Sequence, residues 1–152
     1  MKLDAPGITL DLPPGWEAEV DGGAGEAPEG SPALRTPRTH VANFPLPPER
    51  GDYGSFAVER MQRGHSLICL LEEAGPAAGS TLHGRDGIPR LSLADFSADK
   101  MQRPRAGQSG AQAFFHVGGR AFVLYVVLAD RVNKAAQVDE VNRVLAGVTI
   151  HP

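Results

Sequence analysis

The stretch Ala113–Leu128, AFFHVGGRAFVLYVVL, constrains the fold of this chain more than any other. Two apolar, aromatic runs flank Gly118-Gly119, and a glycine pair supplies the positive φ that a type I′ hairpin turn requires at both positions. Counting outward from a two-residue turn fixes a register. Val117 faces Arg120, Phe115 faces Phe122 and Ala113 faces Leu124 on one side of the ribbon. His116 faces Ala121, Phe114 faces Val123 and Gln112 faces Tyr125 on the other. Both sides are mostly apolar, so the hairpin is expected in the centre of a covered sheet rather than half-exposed. Neither a GxxxxGK[ST] loop nor a GxGxxG after a strand occurs, so the pair reads as a turn and not as a ligand cradle.

The other segments extend this picture. Ser66–Glu73, SLICLLEE, is apolar on both faces and predicts a second central strand. Ile8–Val20 alternates until Pro13-Pro14-Gly15 breaks it; proline cannot donate to a sheet ladder, so an edge strand or a bend into another strand is expected. Trp16 follows and is expected to cover one end of the core. Thr39–Pro47 predicts a short strand with Val41 and Phe44 inward. Tyr53, Phe56, Ala57 and Met61 share one helical face, with Asp52 as N-cap and Gly64 as stop. Arg90–Ser97, RLSLADFS, alternates and reads as a strand, with Leu91 and Leu93 opposite Ala94 and Phe96. Asn133–Gly147 is the clearest helix: Asn133 suits an N-cap, Val138, Val141 and Leu145 form a stripe, and Gly147 offers a C′ position. Val148–Ile150 closes the chain as a short strand.

At 152 residues the chain suits a single domain, 1–152, with its own core. Its 18 Gly and 13 Pro put much of it in turns. Asp21–Pro37 has no periodicity and reads as a mobile loop. The fold class expected is α+β: an antiparallel sheet of about six strands flanked by helices.

Charge narrows the partners. The net charge is −3, which offers no basic field for nucleic acid. Seven acids against Lys2 precede Arg35, and from there to Arg63 five arginines outnumber three acids. The basic loop Lys100–Arg105 has no interleaved aromatic on which bases stack. No apolar run approaches a membrane span, no secretory leader pattern opens the chain, and a cytoplasmic location is expected.

Catalytic patterns are thin. Cys69 is the only cysteine and sits in an apolar run, where a thiol is structural. His40, His65, His83, His116 and His151 share no metal-ligand spacing. Gly107–Ala111, GQSGA, lacks the last glycine of a nucleophile elbow and precedes a strand, where that motif needs a helix. His83 and Asp86 could pair as base and orienter in a glycine-bounded turn. Arg35, Arg38 and His40 could line an anion site, although exposed arginine at a strand entry is the commoner reading. No catalytic, cofactor-binding or metal residue is assigned.

At LPPGW, HVANFPLP…GDYG, GQSGAQAFFHVGGRAFVLYVVL and VDEVNRVLAGVTI the chain resembles a group of small, uncharacterised actinobacterial proteins. That group is similar in layout to the PsbP/Mog1/DcrB superfamily, an antiparallel sheet between helices. The resemblance covers most of the chain from Ile8 onward and implies an α/β/α sandwich and a binding or adaptor role; none of that superfamily's functional residues carries over. The function expected is a non-enzymatic module that binds a protein partner or itself. The alternative is a small-ligand-binding protein or minor enzyme with a site near the 21–37 loop or His83/Asp86.

Overall fold

The computed structural model describes residues 1–21, 38–48, 54–73, 80–101, 104–130 and 132–151. Within them lie eight strands in two antiparallel sheets. The strands are β1 (Lys2–Ala5), β2 (Ile8–Asp11), β3 (Glu17–Asp21), β4 (Arg38–Ala42), β5 (His65–Glu73), β6 (Ser109–Val117), β7 (Arg120–Ala129) and β8 (Val148–Ile150). The larger sheet runs β3-β4-β5-β7-β6 and the smaller β1-β2-β8. One sheet of about six strands was therefore too simple. The division falls at Pro13-Pro14-Gly15, which bends the chain from β2 in one sheet into β3 in the other.

The hairpin has the register that its glycine pair dictates. Val117 pairs Arg120, Phe115 pairs Phe122, Ala113 pairs Leu124, and the opposite-face pairs follow. Phe115 and Phe122 stack at 5.4 Å, an aromatic cross-strand pair that adds roughly 0.5–1.5 kcal/mol beyond its buried area. Two details differ from expectation. Only Gly118 has positive φ, at 58°, which fits the first position of a type II′ turn and not a type I′ turn. Only β7 is central, for β6 is the sheet's edge and its Gln112 is exposed.

β5 and β7 are covered on both faces, and two clusters divide the core accordingly. Ile68, Leu70, Phe122, Leu124, Val126 and Leu128 join one cluster with Val41, Phe115, Trp16 and the buried stripe Val138, Val141, Val144 and Leu145. Inward residues of the small sheet, Ile8, Leu10, Val148 and Ile150, belong to it too. Leu67, Cys69, Tyr125 and Val127 form the second cluster with Phe44, Ala57, Val58 and Met101. Cys69 is thus a buried structural thiol.

The first helix is shorter than its sequence pattern, and the second fills the interval expected between Asn133 and Gly147. α1 (Ser55–Val58) is one turn, entered from Gly54 at φ 68°. A Cβ at Gly54 would lie 2.7 Å from Leu67 Cδ2, so this turn sits hard against β5. Ala57 and Val58 point inward, while Phe56 is 48% exposed; the predicted face was rotated. Tyr53 and Asp52 lie outside the described residues. α2 (Lys134–Ala146) has Asn133 at its N-cap, but that side chain makes no cap bond. Asp130 does the work instead, its Oδ1 accepting the Val132 and Asn133 N–H groups at 2.8 and 3.3 Å. Its negative charge also suits a helix N-terminus. Gly147 has φ −90° rather than the left-handed conformation, and it is glycine because a Cβ there would strike the Asp11 carbonyl oxygen.

Arg90–Ser97 is not a strand. Ser92 and Asp95 form a capping box over a 3-10 turn, Leu93–Asp95, with Asp95 Oδ2 accepting the Ser92 N–H at 2.7 Å. Leu91 and Phe96 are buried and Leu93 is 49% exposed. Local side-chain acceptors outcompeted the ladder that alternation suggested. Asn142 on α2 then holds both polar groups of Leu91: its Oδ1 accepts the N–H at 2.9 Å and its Nδ2 donates to the carbonyl at 2.8 Å.

Candidate functional site

Two places could carry function. The first surrounds His83, which is 2% exposed. Ser80 Oγ lies 3.0 Å from His83 Nδ1 and also accepts the His83 backbone N–H at 3.3 Å. The hydroxyl and Nδ1 thus share one hydrogen bond, whose direction is set by the imidazole tautomer. Nε2 faces Glu73 Oε2 at 3.4 Å and has no hydrogen bond. The Phe114 ring meets His83 edge-on at 5.5 Å. A serine–imidazole–carboxylate line of this kind is the arrangement that activates hydroxyls in acyl transfer. Here, however, the serine and histidine are three apart in one turn, and the turn's amides are spent within it: the His83 N–H on Ser80 and the Gly84 N–H on Thr81.

The expected His83–Asp86 pairing does not form. Asp86 Oδ1 lies 3.7 Å from His116 Nε2, while His116 Nδ1 reaches the His83 carbonyl at 2.6 Å. The reason is a short parallel bridge between Asp86 and His116, with the Gly87 N–H donating to the His116 carbonyl and the His116 N–H to that of Arg85. That bridge aims Asp86 at β6. The remaining histidines are dispersed. His40 is buried on β4, His65 stacks on Phe44 at 4.7 Å, and His151 Nε2 meets Thr9 Oγ1 at 3.0 Å. Among the described residues no three His, Cys, Asp or Glu side chains gather to hold a metal, and no helix is long and apolar enough to cross a membrane. Arg38 and His40 share one face of β4, whereas Arg35 and nearly all of the 21–37 loop lie outside the described residues. Ser109 of GQSGA begins β6 and is buried, with no strand-to-helix turn to expose it.

The second place was not legible as a site in the sequence. A groove of about 430 Å³ opens beside β8, lined among others by Ile88, Arg90, Val117, Leu145, Val148 and Ile150. That volume is within the ~300–1,000 Å³ typical of ligand pockets. Segments that the sequence keeps far apart form its walls: the 88–90 segment, Val117 on β6, and the end of α2 with the β8 strand that follows it. Among the described residues Arg90 is its only charged lining residue, and it is exposed. Among the described residues no hydrogen bond or ion pair engages Arg90.

The far end of β8 is closed by another arginine. Arg120 makes a fork on Glu72, Nε to Oε2 at 3.0 Å and Nη2 to Oε1 at 2.7 Å. Its Nη1 donates to the Gly7 and His151 carbonyls at 2.6 and 2.8 Å. One guanidinium thus joins the large sheet to the small one. The hydrogen bonds to Glu72 push its pKa up from an already high value, against the opposing effect of burial.

Comparison with protein families, curated proteins and solved structures found no match to this chain.

Proposed function

We propose that this chain is a non-enzymatic protein-interaction or adaptor module, cytoplasmic, with the sheet-between-helices layout of the PsbP/Mog1/DcrB resemblance. The observation that carries the reading is the groove beside β8. It pairs an apolar floor with a strand edge and a single unengaged cation. Such a surface selects a macromolecular segment by shape and one charge; it holds no acid–base pair or nucleophile for chemistry.

The test is site-specific photo-crosslinking in the native cell, with the probe placed at the exposed Thr149 or Ala146 and, as control, at Glu59. A discrete protein, identified by mass spectrometry and shown to bind as a purified component, is expected from the groove positions. A chain that crosslinks to nothing from any of the three, yet gains several degrees of thermal stability from a small metabolite, overturns the reading.

A second reading, a small-ligand site or minor enzyme at His83, draws on the Ser80–His83–Glu73 line. A fluorophosphonate probe decides it. Labelling of Ser80 that is lost in H83Q supports an enzyme there, and an unlabelled chain with no thermal shift from metabolites excludes this reading.

A further inference from the structure

We infer that the groove beside β8 binds an extended, acidic segment of a partner protein as a fourth strand of the small sheet. The inference rests on the interaction-module reading and names the surface and partner chemistry it would use.

The argument begins with parity. β8 pairs with β2 in the register Ile8–Ile150, Thr9–Thr149, Leu10–Val148. The Asp11 N–H donates to the Gly147 carbonyl at 2.8 Å and the His151 N–H to the Gly7 carbonyl at 3.0 Å. Main-chain groups in an antiparallel strand alternate in direction residue by residue. Positions 147, 149 and 151 therefore face β2, and the N–H and C=O of Val148 and Ile150 face away from it. Among the described residues no strand lies on that side, because β8 ends the sheet order β1-β2-β8. The groove does, and both residues line it.

Open strand edges are templates for another strand, and natural folds blunt them with charge, proline or a covering loop. The edge of β6 shows such covering: Ser97 exchanges both main-chain bonds with Gly110, and Arg85 and Gly87 take the outward groups of His116. Across the groove from β8 the facing segment, Ile88-Pro89-Arg90, makes no such bonds to Val148 or Ile150. Its anchor lies one residue on, where Asn142 clamps Leu91. The groove is consequently an open gap whose facing segment is anchored by a buried side chain.

The occupant's chemistry follows from the walls. Main-chain pairing supplies affinity and side-chain pockets supply specificity in strand addition. Ile88, Val117 and Leu145 offer apolar contact to alternate side chains of the incoming strand. Among the described residues the only charge on the lining is the unengaged guanidinium of Arg90. A planar fork of donors of this kind prefers a carboxylate. The segment that fits is short, extended and apolar at alternate positions, with an acidic residue reaching Arg90.

The experiment uses the full chain, nitrogen-15 labelled, and two capped pentapeptides, Val-Glu-Val-Glu-Val and Val-Lys-Val-Lys-Val. The glutamate peptide is expected to shift the amides of Val148, Ile150 and Arg90 and to slow exchange of the first two at least ten-fold. The lysine peptide should bind at least ten-fold more weakly, and R90E should reverse that order. A146W, at an exposed groove position, should abolish both. No shift at Val148 and Ile150 up to millimolar peptide, or a preference that R90E leaves unchanged, overturns strand addition here. The crosslinking result stands apart from that outcome, so the module reading can survive it. Shifts at the same amides that grow with protein concentration alone would make a second copy the occupant and overturn the partner assignment.

Discussion

Arg120 and Arg90 both border the surroundings of β8, and the two are used in opposite ways. Arg120 spends its donors on Glu72, Gly7 and His151 and locks the small sheet onto the large one. Arg90 makes no bond among the described residues and borders the open groove. A guanidinium cannot shed its charge at neutral pH, so its energy depends on what surrounds it. The satisfied, mostly buried one contributes to stability, and the solvated one is available for recognition.

The largest expected effect is at Arg120. R120M removes the cation and leaves Glu72, whose side chain is 17% exposed, without its partner. Breaking a pair of this kind costs about 3 kcal/mol. A fall in Tm of roughly 6–12 °C by calorimetry is expected for a chain this size. If E72L restores much of the loss in R120M, the cost lay in the stranded carboxylate; if it does not, the bonds to the small sheet dominate. The pH dependence has a definite sign. Arg120 is raised in the folded state, so its contribution is full at and below neutral pH and is lost only in strong alkali.

N142A comes next. It strands the buried N–H and C=O of Leu91 and should cost about 2–3 kcal/mol by urea unfolding. It should also disorder the groove's far wall, read as faster amide exchange at Ile88 and Arg90. G7A is expected to cost about 1–2 kcal/mol, because Gly7 has φ 79° and a Cβ there would lie 2.7 Å from Arg120 Nη1. The effect should shrink in an R120M background, which a double-mutant cycle would show. R90E should change stability by less than about 0.5 kcal/mol while altering peptide choice. A large loss of stability in R90E would erase the contrast between the two arginines. The smallest effect is at Gly119 in the hairpin. G119A has open space and no positive φ and should be near neutral, whereas G118A should lose about 1 kcal/mol.

The hairpin and β5 were legible because their information is local and redundant. A two-residue turn sets a register by counting, and a strand apolar on both faces has no place except under two layers. Arg90–Ser97 failed for an equally local reason: its alternation was real, but Ser92 and Asp95 offered a cap that period-two counting does not register. Phe56 failed because one turn of helix presents too little pattern to fix its rotation. The His83–Asp86 pair, close in sequence, was separated by a bridge to β6 that no spacing announces. The division into two sheets was only half visible, as a bend at Pro13-Pro14-Gly15 without the partner of either flanking strand.

The sequence alone therefore determined the hairpin register, the buried thiol, the C-terminal helix and the mixed α+β class, since each follows from turn geometry or side-chain periodicity. The tertiary structure alone decided which arginine is clamped and which strand edge is left open. Those depend on where chain segments more than fifty residues apart come to rest. Hydrogen bonds at such range, Arg120 to Gly7 and Asn142 to Leu91, leave no periodic trace in the residues that make them.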